Sequence, residues 1–453
     1  MTTTADVAHY ITSTGFEDLG DAAVAKAKAL CLSTLGMSVA GSRLHAGRVL
    51  AEYSRKLGGE PLAGVIGCNF QTSSELAAFV NATGAHSTEL EDDSWPESMY
   101  TCHIIPAVFA LAQELGASGS AIIEAFAVGY EVQARPGMIV TDGGATDRGH
   151  LTAPHLGTLG VAAAGAKLLG LDHGQVVNAI SLAVSQASGS TRQMGTGAHL
   201  FEAGVAARNG ICAARLAQLG LSGDPHILEG PRGYFDALAG YQSLDFDLGV
   251  GDDLRIMAVG FKKFTACYLM QRIVDGVIEL IEENDISASD VERVTVEVNP
   301  TFPEIIKYPE PTNEDESRFS LHHCIAAALL REPISIRTFT DEGVRDPRHQ
   351  EQWPKTEMLV NPEWERAILG ESNPVTIETV DGRRFDKLCV FAHGDPENPL
   401  TDAEVEEKFR GCVEGIIPDD VAEQVAKQVF ELETLVNVSE LMETLTFVPD
   451  QHL

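Results

Sequence analysis

At 453 residues the chain can bury a large core without disulfide or metal staples, and usual domain sizes of ~100–200 residues point to two domains or one carrying an insertion. Its 66 acidic residues against 32 Lys and Arg give a formal charge of -34 and a pI of about 4.6, which excludes nucleic acid as a partner because such binding needs clustered cations. An anionic small molecule must then meet a local basic island, so buried Lys, Arg and His are the residues to follow.

The cysteines (Cys31, Cys68, Cys102, Cys212, Cys267, Cys324, Cys389 and Cys412) are scattered without a CxxC pair and read as reduced thiols. The opening Met1-Thr-Thr-Thr-Ala-Asp has neither the basic nor the apolar region of a secretory signal, and no apolar run approaches the ~20 residues of a membrane span. A cytoplasmic protein with no membrane partner is expected.

From Val7 to about Leu280, apolar residues recur at three- and four-residue intervals, as in Asp21-AAVAKAKALCLSTLGMSVAG, so this part reads as packed helices. Within it, Gly84-AHSTELEDDSWPESMYTCHIIP is the densest polar stretch and sets His86, Glu89, Glu91, Asp92 and Asp93 between apolar segments. Carboxylates against an apolar wall suit acid–base work or a metal, although a solvated acidic loop gives the same letters. In Arg148-GHLTAPHLGTLG, His150 and His155 precede a helix, and their five-residue separation suits one metal ion poorly on a regular helix. The run Gly157-TLGVAAAG lacks the spacing and the preceding strand of a dinucleotide loop, and reads as close helix packing. Gln193-MGTGAHLFEAGVAARNG brings His199 and Glu202 to a helix start, where a histidine serves as a cap or as a catalyst.

Gly260-FKKFTACYLM holds Lys262 and Lys263, and a lysine among apolar residues needs a carboxylate partner from protein or ligand. After Glu283 the pattern changes. Arg293-VTVEVNP, Pro374-VTIETVDGRRF and Asp386-KLCVFAHG alternate as strands, the last two joined across Asp381-Gly382, a favoured hairpin pair. Leu321–Leu330 and Pro362–Leu369 read as helices between them. His322 and His323 open the first of these, about 100° apart, so one of the two faces any given site. Helical periodicity returns from Asp402 to Leu435. The expected fold is therefore mainly α: a large discontinuous all-helical domain, 1–267 and 400–453, with an inserted α+β domain at 268–399. No GxSxG elbow, HExxH, P-loop or zinc-type cysteine spacing occurs, and no spacing calls for a metal or other cofactor.

Asn81-ATGAHSTELEDD, Gly129-YEVQAR, Gly149-His150 with Gly157-TLGVAAAGAKLLGLD, Ala203-GVAARNGICAARLAQLGLSGDPHILEG, Phe261-KKF, and Phe319-S-L with Ala326-AALL occur in one order along nearly the whole chain. Together they resemble the MmgE/PrpD family, which includes 2-methylcitrate dehydratase, cis-aconitate decarboxylase and iminodisuccinate epimerase. The resemblance implies a helical domain made from both chain ends, an inserted α+β domain, an active site between them, a homodimer, and chemistry beside a carboxylate of a small di- or tricarboxylic acid. It places Glu89 where the family has Asp and Lys262 on the family's second lysine. His199 stands in place of a lysine, His323 in place of a tyrosine and Cys267 in place of a histidine. Tyr100 or His103 falls near the loop histidine, and His150 matches the Gly-x-His motif.

The reaction expected on that basis is a lyase step. A base among His150 and His199 takes an α-proton, and an acid near Glu89, Tyr100 or His103 assists the leaving group. Lys262, Arg192, His323 and Asp93 form the substrate-binding set, with the cations holding carboxylates. An epimerase using Cys267, His199 and His323 as paired bases, and a catalytically silent metabolite binder, are the alternatives.

Overall fold

The computed structural model describes Met1–Val448. The chain divides into two compact units: one made of residues 1–193, 198–259 and the stretch from Thr401 onward, the other of 194–197 and 260–400. The first is helical and the second holds the larger sheet.

In the first unit the helix Asp21–Gly41 is buried at every residue from Ala29 to Gly41, so it has no polar face and serves as the core. By length and composition it is the one described helix apolar enough to cross a membrane, which the sequence reading overlooked; 72% of its apolar window is buried inside the fold. The helix Ser74–Ser87, capped by the Ser73 hydroxyl, packs on it. The approach is backbone to backbone, since a Cβ on Gly41 would lie 1.8 Å from the carbonyl oxygen of Gly84. Gly119–Val140 packs against Thr152–Leu168 in the same way, with Gly160 and Gly129 at the contact, which is the role expected of the Gly157 run. The returning segment starts at a Thr401–Glu404 capping box and lays Asp402–Val413 onto Asp21–Gly41.

In the second unit Val291–Val298 is flanked by Thr356–Val360 in parallel and Asn373–Thr379 in antiparallel, and the latter pairs with Arg384–Cys389. The hairpin turns at Asp381–Gly382, where Gly382 takes φ +84°, as the residue pair predicts. Leu321–Leu329 is helical with the Ser320 hydroxyl as its cap, whereas Pro362–Leu369 is not. There Asn299 donates to the Ala367 carbonyl, and just beyond the stretch Arg272 donates to that of Gly370.

Candidate active site

The helix Ser74–Ser87 delivers His86 in its last turn, and the chain then breaks at Glu89, whose amide donates to the His86 carbonyl at 3.0 Å. Glu89 sits at φ +49°, a left-handed conformation that costs an L residue roughly 1–2 kcal/mol and that glycine would take freely.

Helix Gly197–Gln218 brings His199 to the same place. Its Nε2 lies 4.0 Å from Oε2 of Glu89, and its Nδ1 lies 3.9 Å from Oε2 of Glu202, one turn along. The other oxygen of Glu202 accepts the Ser190 amide at 2.8 Å, which fixes that carboxylate. The rings of His86 and His199 meet edge to face with centroids 4.6 Å apart, and Nε2 of His86 is 3.8 Å from Oε1 of Glu91. Tyr100 closes one side, its ring centroid 5.2 Å from that of His86, and its backbone pairs with Asp93 in a short antiparallel bridge. Ligand atoms of His86, Glu89 and His199 all fall within 4.8 Å of one another, so these residues could hold a metal ion that no spacing in the sequence announced.

Two further histidines stand nearby in the same unit. His150 forms an isolated antiparallel bridge with Ser190, the residue whose amide holds Glu202. Nδ1 of His150 is 3.2 Å from Nε2 of His155, whose Nδ1 is 3.4 Å from the Tyr234 hydroxyl. Burial, with His150 beside it, pushes the His155 imidazole down to about 4, so it is neutral at pH 7. Either direction of donation along the chain His150–His155–Tyr234 satisfies both contacts, because the Tyr234 hydroxyl both donates and accepts. His103 is deeper: Nε2 meets Oε1 of Gln133 at 2.8 Å, its ring fills the space left by Gly157, and burial pushes it down to about 4.

The loop is tied down by charge. Asp92 is fully buried and accepts from Nζ of Lys408 at 2.6 Å; the same ammonium donates to the Leu90 carbonyl at 3.0 Å. Burial raises the Asp92 carboxyl, and Lys408 works against that rise. Lys26, half-buried, is pushed down to about 8 by its loss of hydration. Glu97, buried as well, accepts from Arg255 at 2.6 and 2.8 Å.

Of the sequence candidates, Glu89 and His199 therefore come together, Tyr100 and Asp93 adjoin them, and His150 connects through Ser190. Arg192 is exposed on the short turn Thr191–Gln193, with its amide on the Ser190 hydroxyl. Lys262, Cys267 and His323 belong to the second unit. There Lys262 is 1% exposed, an ammonium buried as its apolar sequence surroundings suggest. Cys267 is half-buried and its amide donates to the carbonyl of Arg318, a fully buried guanidinium 3.4 Å from Asp315. Nε2 of His323 is 2.9 Å from the Thr338 carbonyl, its ring packs among Phe339, His349 and Trp353, and burial pushes it down to about 4, leaving it uncharged at pH 7. His86, Glu202 and His155 lie in the polar stretches the sequence marks out but were given no role there, and Tyr234 was not singled out. The i,i+3 pairs His86/Glu89 and His199/Glu202 were the available signal for the first two; nothing local points to Tyr234.

The MmgE/PrpD N-terminal domain family matches residues 5–247 and the MmgE/PrpD C-terminal domain family matches residues 264–432. Cis-aconitate decarboxylase of Homo sapiens is 27% identical over 93% of this chain and 90% of its own length, and that of Aspergillus terreus 23% identical over 98% and 95%. The 2-methylcitrate dehydratase of Escherichia coli K12 is 26% identical over half of each chain.

Proposed function

The chain belongs to the MmgE/PrpD family, and on that premise we propose that it is a lyase acting beside a carboxylate of a small di- or tricarboxylate, either removing an α-proton as water leaves or delivering a proton to carbon as carbon dioxide leaves. The observation that carries this reading is the cluster of buried His86, Glu89 and His199 with partly exposed Glu202, which sets proton acceptors and donors side by side. The decarboxylase and dehydratase relatives support elimination beside a carboxylate. His150 and His199 are the two candidate bases. Glu89 and Tyr100 stand where an acid would assist the leaving group. Lys262 supplies the carboxylate-binding cation, and the enzyme acts as a cytosolic homodimer of 48.5 kDa chains.

Incubation with cis-aconitate and with 2-methylcitrate, followed by chromatography of products, tests the reading. Turnover of either, reduced ~100-fold or more in Glu89→Gln, is expected. Equal turnover by that folded variant would remove Glu89 from the mechanism, and no turnover of either acid would count against both named substrates.

A further inference from the structure

We propose that Gln271 is the positioning residue for Lys262, holding the segment that carries the ammonium in the shape that presents it to a substrate carboxylate. The inference rests on the reading of Lys262 as the carboxylate-binding cation. Lys262 lies between the short strand Val259–Gly260 and the turn Tyr268–Met270, on a stretch with no helix or strand ladder of its own. Buried backbone groups in such a stretch need partners from elsewhere.

Gln271 supplies them. It opens the helix Gln271–Glu283 and is 2% exposed. Its Oε1 accepts the amides of Lys263 at 3.1 Å and Phe264 at 3.0 Å, and its Nε2 donates to the carbonyls of Phe264 and Ala266, each at 2.9 Å. Two acceptances and two donations use the full capacity of a side-chain amide, and all of them fall within 263–266, the stretch just after Lys262. The residue before this helix gives it no side-chain cap, and the Gln271 amide is spent on the Lys262 segment rather than on its own helix.

The segment is pinned on the other side of Lys262 as well. The Phe261 amide donates to the Gly394 carbonyl at 2.8 Å, and a Cβ on Gly394 would lie 2.1 Å from the Phe261 carbonyl oxygen, so the two backbones touch. Nζ of Lys263 reaches Asp275, one turn beyond Gln271, at 3.3 Å, and Asp275 in turn accepts the His393 amide at 2.7 Å. With Phe261 and Lys263 both fixed, the direction in which the Lys262 side chain leaves the backbone is set. A binding group misplaced by ~1 Å can cost about a hundredfold in rate, which is the scale on which such a clamp matters.

The test uses the full chain and compares Gln271→Met, Lys262→Met and the double variant. Methionine keeps the length of glutamine without its amide. With cis-aconitate or 2-methylcitrate as substrate, Gln271→Met should raise KM about tenfold while kcat changes less than about threefold, the pattern of lost ground-state binding. Adding Gln271→Met to Lys262→Met should lower kcat/KM by less than about twofold more, because the side chain it positions is gone. A Gln271→Met effect of the same size in both backgrounds, or one confined to kcat, would overturn the proposal and leave Gln271 with a purely structural role. Crystal structures of wild type and Gln271→Met need no substrate: Nζ of Lys262 should move by about 1 Å or more, and an unmoved Nζ would overturn the proposal. Turnover of neither acid would strike the proposed function, and the crystal structures would still judge the clamp. If Gln271→Met does not fold, Gln271→Glu takes its place in each comparison, since it keeps the two acceptances and loses both donations.

Discussion

Replacing Lys408 by methionine isolates the anchor of the acidic loop. The ammonium lies 2.6 Å from Oδ1 of Asp92 and 3.0 Å from the Leu90 carbonyl, and the two side chains are 6% and 0% exposed. Methionine keeps the length and apolar stem but leaves the buried carboxylate facing Lys26 as its remaining named cation. Breaking one half of such a pair costs about 3–5 kcal/mol, a large share of a typical folding free energy. The loss depends on pH in a definite direction. Burial raises the Asp92 carboxyl above its ordinary 3.8, so its contribution to stability is full below that value and declines as pH rises through the raised one. Without Lys408 the carboxyl rises further, so the variant loses more at pH 8 than at pH 5. Urea denaturation followed by far-ultraviolet circular dichroism, at both pH values, measures this. Lys408→Met with Asp92→Asn removes both charges and should recover more than half of the loss. A single-variant cost below about 1 kcal/mol, or a double variant no more stable than the single, would refute the assignment of Lys408 as the counter-charge.

Glu89→Gly should leave stability unchanged or raise it by up to about 1 kcal/mol, since glycine accepts φ +49° freely, while turnover falls at least ~100-fold; calorimetry and the product assay check the two halves. Tyr234→Phe removes the hydroxyl facing His155 and should shift the pH–rate profile with a drop of roughly tenfold, whereas an unchanged profile would place the His150–His155 pair outside the reaction. Lys262→Met should lower kcat/KM about 10–100-fold in a protein that still folds, as measured by steady-state kinetics and circular dichroism. For His323, pushed down to about 4 from 6.5, stability is full above 6.5 and lost as pH falls toward 4. Folding should weaken by about 2 kcal/mol per such histidine between pH 7 and pH 5, and His323→Gln should lessen that acid loss.

Much of this was legible because the chain's patterns and its tertiary needs agree. The buried period-two strand Asn373–Thr379 and the Asp381–Gly382 turn carry their own signals, as do the hydroxyl caps at Ser73, Ser320 and Thr401. Thr356–Val360 was missed because it is largely exposed and pairs only along one side of Val291–Val298, so nothing forces its residues to alternate. Pro362–Leu369 carries helix-forming residues such as Glu363, Glu365 and Ala367 but is not helical, and Asn299, distant in sequence, holds the Ala367 carbonyl.

The site was legible in its residue types and hidden in its pairings. Glu89 and His199 are separated by more than a hundred positions, and the close approach of Gly204 to Phe79 and Thr83 brings their helices together. His150 and His155 looked unable to share a partner on a regular helix. They meet because the helix begins at Thr152, after His150, which lets the earlier ring fold back over the later one.

Proton transfer at carbon is the step every lyase reading shares, so proton NMR in deuterated buffer with cis-aconitate, 2-methylcitrate and aspartate-derived acids tests it most directly. Deuterium entering beside a carboxylate together with a product lacking water or carbon dioxide is the predicted result, and both signals should fall together in Glu89→Gln. Exchange with the carbon skeleton and substituents retained would contradict the lyase and point to an epimerase, and no exchange with any of these acids would contradict proton abstraction from this substrate class.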